Sequence, residues 1–227
     1  MNSSPSGNVA RKRCVFIVDD HPLVREGLTN LINRQSDLIV CGEAKDSAEA
    51  IAGIAKEGPD VAIIDISLTN ESGLELIKHI ASQFPHVALV VLSMHDEGLY
   101  AERALRAGAR GYVMKHETSK NVLACIRCVL GGGVHVSERI ANRLAVRLTS
   151  SRKAVASSPV ERLSDRELEI FQLLGQGRTP SEIAVDLNLS LKTVQAYCAR
   201  AKDKFGVTSL TELLRAAIRW DDASRVK

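Results

Sequence analysis

The sequence predicts two folded units. The first is an α/β domain on a parallel sheet with helices on both faces. The second is a small all-α domain. Three observations predict this. From Cys14 to about Leu130, five short β-branched runs alternate with five segments of helical period, the pattern of a parallel sheet with crossover helices. The third and fourth runs are nearly continuous in apolar residues, as strands buried on both faces must be. Beyond a Ser-rich stretch at 149–159 the strand patterns stop, and four helical segments occupy 160–220.

The strands are expected at 14–18, 38–41, 61–64, 87–92 and 111–114. The helices between them are expected at 23–33, 47–56, 73–83, 98–107 and 119–130. Pro22 stands where a first-turn proline is tolerated. Asp46 with Glu49, and Ser72 with Glu75, have the spacing of an N-cap and its third-position partner. Gly108 can end a helix in the left-handed conformation. The Gly131-Gly132-Gly133 run breaks the alternation, and one more helix is expected at 137–148. The resulting division is a tail at 1–13, the α/β domain at 14–131, a connector at 132–160 and the helical domain at 161–222.

In the helical domain, Ser164 with Glu167, and Thr179 with Glu182, carry capping-box spacing, and Pro180 directly after Thr179 stands at the first helical position. Gly175 and Gly177 close the first helix. A short helix at 180–187 ends near Asn188, and Ser190 caps a longer one that runs to about Phe205 and stops at Gly206. Short helix, tight turn, capped long helix is helix-turn-helix arithmetic. A last helix at 210–220 lines up Leu210, Leu213, Leu214, Ala217 and Trp220 on one face.

Lys plus Arg number 30 and Asp plus Glu 27, so the net charge of +3 does not announce nucleic acid by itself. The excess is not uniform: residues 1–149 carry 17 charges of each sign, whereas 150–227 carry 13 basic and 10 acidic. The longest apolar run, 87–92, is far short of the ~20 residues a membrane helix needs. The five cysteines are odd in number and scattered, which points to a reducing cytosol rather than a disulfide framework. Cys125 and Cys128 fall at i and i+3 of a helical segment without a second ligand pair, and are expected as buried core thiols.

In an open parallel sheet, ligands gather at the carboxyl ends of the strands. The first strand ends in Asp19-Asp20, the third in Asp65, the fourth in Ser93 and the fifth in Lys115. Three carboxylates at one edge repel one another and call for a cation. Oxygen donors of this kind suit Mg²⁺ with waters and a phosphoryl oxygen. A central Asp can form an aspartyl-phosphate, with the ion and Lys115 neutralising phosphoryl charge. One of Asp19 and Asp20 can equally be read as a cap for the helix at Pro22.

Four separated segments carry a family resemblance: Phe16-Ile-Val-Asp-Asp-His-Pro-Leu-Val-Arg, Pro59-Asp-Val-Ala-Ile-Ile-Asp65, Val91-Leu-Ser93 and Gly108-Ala-Arg-Gly-Tyr-Val-Met-Lys115. Together they resemble the receiver domain of two-component response regulators. The resemblance implies a flavodoxin-like fold with strand order 2-1-3-4-5 and phosphorylation of Asp65 by a sensor histidine kinase. It implies Mg²⁺ on Asp20, Asp65, Asp19 and the Ser67 backbone carbonyl, with Ser93 and Tyr112 as the switch residues. Thr69 stands where such receivers usually have proline, which implies a more mobile loop. Ser67 and His95 occupy positions that tune self-hydrolysis in the family.

The helical domain has its own resemblance. Leu163-Ser-Asp-Arg-Glu-Leu-Glu-Ile, Gly177-Arg-Thr-Pro-Ser-Glu-Ile-Ala, Leu189-Ser-Leu-Lys-Thr-Val194 and Lys204-Phe-Gly-Val resemble the four-helix LuxR-type DNA-binding domain. The whole chain is thus similar to the NarL/FixJ family of response regulators. This implies a cytoplasmic transcription factor that binds double-stranded promoter DNA, pairs as a homodimer when phosphorylated or on DNA, and meets RNA polymerase there. A helix in the major groove reads bases with its N-terminal residues while basic groups hold phosphates. The carry-over puts Lys192, Thr193 and Arg200 on phosphates, with Lys204 basic nearby, and Gln195, Ala196 and Ala199 toward bases. The two alanines depart from the lysines frequent in the family, and alanine can meet only thymine methyl groups.

Two rival functions fit parts of this pattern. A Mg²⁺-dependent phosphatase could use Asp65 as nucleophile, but Ser67 stands where its general acid is expected. A receiver whose helical domain binds protein rather than DNA fits the weak charge and the alanines.

Overall fold

The computed structural model describes residues 11–68, 72–149 and 158–225. Five strands form one parallel sheet: β1 (Arg13–Val18), β2 (Leu38–Ala44), β3 (Val61–Ile64), β4 (Ala88–Ser93) and β5 (Gly111–Met114), in the order β2-β1-β3-β4-β5. The intervening helices are α1 (Pro22–Asn33), α2 (Ser47–Glu57), α3 (Gly73–Gln83), α4 (Glu97–Ala107) and α5 (Ser119–Leu130). Alternate residues of β1 serve opposite layers, as strand geometry requires. Val15 and Ile17 pack with Leu28 and Ile32 of α1 and with Val122 and Ile126 of α5. Phe16 and Val18 face the other layer, of α2, α3 and α4.

The strand and helix alternation matches the sequence reading, with one clear difference. β2 runs three residues further than expected, to Ala44. The register shifts by one residue between Val15 and Phe16, so that Val15 pairs with Val40 and Phe16 with Gly42. Cys41 is the extra residue of this bulge, and pairing continues beyond it through Gly42, Glu43 and Ala44. Gly42 is required there, because a Cβ would collide with the Phe16 ring.

Local signals account for most helix ends. Pro22 opens α1, Asp46 accepts the Glu49 amide at the start of α2, and Gly108 ends α4 at φ 117°. Ser72 precedes α3 as expected, but its hydroxyl makes no cap bond, and the Glu75 carboxylate turns to Lys78 at 2.8 Å instead.

The connector is more structured than a plain linker. His135 bridges Gly111 in parallel along the open edge of β5, with Tyr112 N–H donating to the His135 carbonyl at 2.9 Å. A helix, α6 (Glu138–Thr149), then lies against α4 with Ile140 buried, held by Arg139 to Glu97 at 2.9 Å and Arg143 to the Gly98 carbonyl at 2.6 Å. The expected tail at 1–13 falls mostly outside the described residues, as do residue 69 and the Ser-rich stretch from 150 to 157.

Four helices make the second unit: α7 (Asp165–Gly175), α8 (Pro180–Asp186), α9 (Leu191–Phe205) and α10 (Leu210–Arg225). Both capping boxes form, Ser164 with Glu167 and Thr179 with Glu182. Asn188 takes φ 50° in the turn between α8 and α9, and Gly206 ends α9 at φ 67°. Phe171 stacks on Phe205 and meets Trp220 in the core. Leu213 and Ala217 are fully buried there, so that face of α10 serves the domain's own interior. No helix among the described residues is long and apolar enough to cross a membrane.

Candidate functional site

The sheet delivers its polar residues to one edge. Asp19 follows β1, and its amide bonds to the Ala44 carbonyl at 3.1 Å. Asp65 follows β3, and its amide bonds to the Val18 carbonyl at 2.8 Å. Asp19 and Asp65 are almost wholly buried, and Lys115 reaches both, with Nζ 2.7 Å from Asp19 Oδ2 and 2.7 Å from Asp65 Oδ2. Burial works to lower the Lys115 pKa, but the two carboxylates more than offset it and hold it above the ordinary lysine value. The ammonium is therefore a fixed positive charge in a low-dielectric setting.

Ligand atoms of Asp19, Asp20, His21 and Asp65 all lie within 4.8 Å of one another. His21 was not among the residues the sequence singled out, although it follows Asp19-Asp20 directly. Its Nδ1 lies 2.7 Å from Asp20 and 3.2 Å from Asp19. Three carboxylates beside one ammonium are hard oxygen donors that fit a small divalent ion such as Mg²⁺. Ser67 enters through its amide, which donates to Asp65 Oδ1 at 2.9 Å. Gly73 lets the start of α3 press against this loop, since a Cβ there would strike the Ile66 backbone. The following residue of interest, Thr69, is outside the described residues.

Ser93 is fully buried at the end of β4, and its Oγ accepts the His95 amide at 3.0 Å. Lys115 N–H donates to the Ser93 carbonyl at 2.8 Å, which ties β5 to the same edge. Tyr112 is turned inward and buried, with its hydroxyl donating to the His95 carbonyl at 2.9 Å. Desolvation pushes the Tyr112 pKa up and the His95 pKa down, so both remain neutral near pH 7.

On the second unit, α9 presents Lys192, Gln195, Ala196, Ala199 and Arg200 to solvent, with Thr193 half-buried. The Ser190 hydroxyl bonds the Thr193 amide at 3.1 Å and its hydroxyl at 2.7 Å, so Thr193 is part of the helix start. Arg200 lies over the Tyr197 ring at 4.5 Å. Lys204 is drawn inward to the buried Glu167 at 2.6 Å, away from the exposed face.

Residues 15–127 match the response regulator receiver domain family, and residues 161–217 match the luxR family of bacterial regulatory proteins. The oxygen regulatory protein NreC of Staphylococcus aureus is 35% identical over 209 residues, covering 90% of this chain and 96% of that protein. The chain belongs to the NarL/FixJ family of response regulators. It is thus a two-component response regulator with a LuxR-type DNA-binding domain, from a family of transcription regulators rather than enzymes. Among solved structures, the RcsB response regulator of Salmonella typhimurium aligns with a TM-score of 0.69 at 27% identity, covering 92% of this chain and 98% of that one. RcsB of Salmonella enterica serovar Typhimurium, bound to promoter P1flhDC in the presence of the phosphomimetic BeF3⁻, aligns with a TM-score of 0.66 at 28% identity, covering 91% of this chain and 98% of that one.

The receiver and the DNA-binding domain of this response regulator are in direct contact, which the sequence did not reveal. Asp165, the first residue of α7, is held by Lys78 of α3 at 2.9 Å and Arg103 of α4 at 2.8 Å. Burial works to raise the Asp165 pKa, but the two cations outweigh it and hold the carboxyl below its usual range. Tyr100 of α4 donates its hydroxyl to Gln172 Oε1 of α7 at 2.5 Å, with both side chains buried. Tyr197 and Arg166 share a cleft with Ser47 and Ile51 of α2 and Glu75, Leu76 and His79 of α3, so the receiver stands beside the long helix of the helix-turn-helix.

Proposed function

We propose that the protein is a cytoplasmic transcription factor whose DNA binding is switched by phosphorylation of Asp65. The observation that carries the reading is the meeting of Asp19, Asp65 and the Lys115 ammonium at one buried strand edge. A phosphohistidine on a sensor kinase is the donor. An Asp65 oxygen attacks phosphorus, the P–N bond breaks, and the imidazole nitrogen keeps the electron pair and takes a proton from solvent. Asp19, Asp20, Asp65 and the Ser67 carbonyl are the residues to hold Mg²⁺, which supplies charge neutralisation to the incoming phosphoryl group. Lys115, already bonded to Asp65 Oδ2, adds a second positive charge, and Ser93 donates a hydrogen bond to a phosphoryl oxygen.

The output is a shift between two arrangements of the domains. The contacts through Asp165 and Tyr100 belong to the restrained one. Release frees α9 to enter a major groove, with Lys192, Thr193 and Arg200 toward phosphates and Gln195, Ala196 and Ala199 toward bases. Two copies then occupy paired half-sites of a promoter, within reach of RNA polymerase. The experiment is duplex binding by wild type and Asp65→Asn, with and without acetyl phosphate and Mg²⁺. Wild type tightens with the phosphodonor and Asp65→Asn does not. Equal affinity in all four cases sinks the switch. The slope of affinity against salt separates DNA contact from protein contact, because released counterions impose a steep slope.

A further inference from the structure

We propose that His95, Tyr100 and Gln172 carry the state of the phosphoryl site into the DNA-binding domain. The proposal rests on Asp65 being the phosphoryl acceptor.

The His95 backbone is held at both ends by the site. Its N–H donates to Ser93 Oγ at 3.0 Å, and its carbonyl accepts the Tyr112 hydroxyl at 2.9 Å. Its ring stacks on Tyr100, with centroids 4.6 Å apart and planes at 24°. The Tyr100 hydroxyl then bonds Gln172 Oε1 across the domain boundary. Direct contacts therefore run without a break from Ser93 to α7. The Ser93 Oγ now accepts the His95 amide, and a rotation of the side chain that carries Oγ to a phosphoryl oxygen on Asp65 takes it away from that amide. The loop that carries the imidazole then loses its hold. A cleft of 340 Å³, lined by Ser67, His95, Tyr100 and Gln172 among others, lies beside the ring and gives it room to leave the stack.

Tyr100 without its stacking partner no longer holds its hydroxyl at Gln172, and a buried amide oxygen left without a donor favours separation of the two domains. The second domain contact behaves differently. Asp165 is clamped by Lys78 and Arg103, and among the described residues none of the three hydrogen-bonds or ion-pairs with Ser93, His95 or Tyr112. The ion-pair clamp adds to the restrained arrangement without sensing the site, whereas the tyrosine bond is the contact that the phosphoryl group reaches.

The test uses the full-length chain with Mg²⁺ and beryllofluoride, read by hydrogen–deuterium exchange of α4 and α7. Fluorine NMR of bound beryllofluoride reports occupancy of Asp65, and circular dichroism melts report folding. In wild type, beryllofluoride speeds exchange in both helices. Tyr100→Phe keeps the stack and loses the bond, so its exchange without beryllofluoride is already about fivefold faster, the ratio expected for one buried hydrogen bond. His95→Ala removes the ring and keeps both backbone bonds. It binds beryllofluoride, but without its ring, exchange is already fast before beryllofluoride is added and speeds little further. Asp165→Asn is faster throughout but still responds. A His95→Ala or a Tyr100→Phe protein that is as protected as wild type without beryllofluoride overturns the relay. Wild type with no bound fluorine signal overturns the Asp65 reading beneath it.

Discussion

At the carboxyl edge of the sheet, buried carboxylates and an ammonium are locked to one another by strand ends; on the outer face of α9, the groups assigned to DNA stand in solvent. Lys115 reaches two acidic partners at 2.7 Å each, whereas Lys192, Gln195 and Ala199 are exposed. The difference follows from what each surface must do. A phosphoryl group is small, so its donors must be placed before it arrives. A duplex supplies its own charges and geometry, so the protein face can remain hydrated until contact. Substitutions at the first surface should therefore register in the stability of the free protein, and those at the second only once DNA is added.

The largest effect is expected from Lys115→Met. It leaves Asp19 and Asp65 buried without their cation, a change that typically costs about 3–5 kcal/mol. Denaturant unfolding in a chelator should show this loss, and added Mg²⁺ should restore part of it by binding the folded state alone. A variant whose stability ignores Mg²⁺ would separate the acidic edge from any metal role.

Glu167→Ala is expected to come next, at about 2–3 kcal/mol, because Glu167 closes a capping box and bonds Lys204. Burial works to raise its pKa, but Lys204 and the Ser164 amide prevail and hold it below the usual glutamate value. A depressed native pKa means that this stability is complete above the unfolded value and is lost as pH falls through the native one. Wild type should thus lose more stability than Glu167→Gln between pH 6 and pH 3. Equal losses would assign the acid sensitivity elsewhere. This residue also sharpens the comparison, since it takes Lys204 out of the exposed face.

How much of this was legible in the sequence depends on the range of the forces involved. Asp65 and Lys115 could be placed because a buried strand fixes where its next residue emerges. Capping boxes at Ser164 and Thr179 could be read because both partners lie within one turn. The extension of β2 could not, because it depends on a bulge at Cys41 opposite Phe16 rather than on local polarity. The Ser72 cap failed for a related reason, as Lys78 competes for Glu75. Asp165 lies in the first turn of α7, and nothing local could say that its partners are Lys78 and Arg103. Gln172 is a polar residue inside a helical segment, and its partner Tyr100 lies 72 residues away.

On α9 the expected effects are smaller and take another form. Gln195→Ala removes an exposed amide, so folding stability should move by less than about 0.5 kcal/mol. If the amide reads an adenine edge, affinity for the preferred duplex falls by about 1–3 kcal/mol, and affinity for one changed at that base pair does not fall further. Titrating both duplexes with both proteins gives the cycle directly, and an equal loss on both would make Gln195 a phosphate contact.

Lys192→Ala is the gentlest break. Lys192 is exposed and opens α9, with no carboxylate partner among the described residues, so the free protein should be unaffected. On DNA its loss should weaken all duplexes alike and lower the slope of log affinity against log salt by about 1. Arg200, which also rests on Tyr197 and approaches Glu167 at 3.8 Å, should change the slope by less, because part of its charge is already engaged within the domain. A larger slope change for Arg200 than for Lys192 would mean that DNA pulls the guanidinium off the ring, and the face would then be remodelled on binding rather than merely dehydrated.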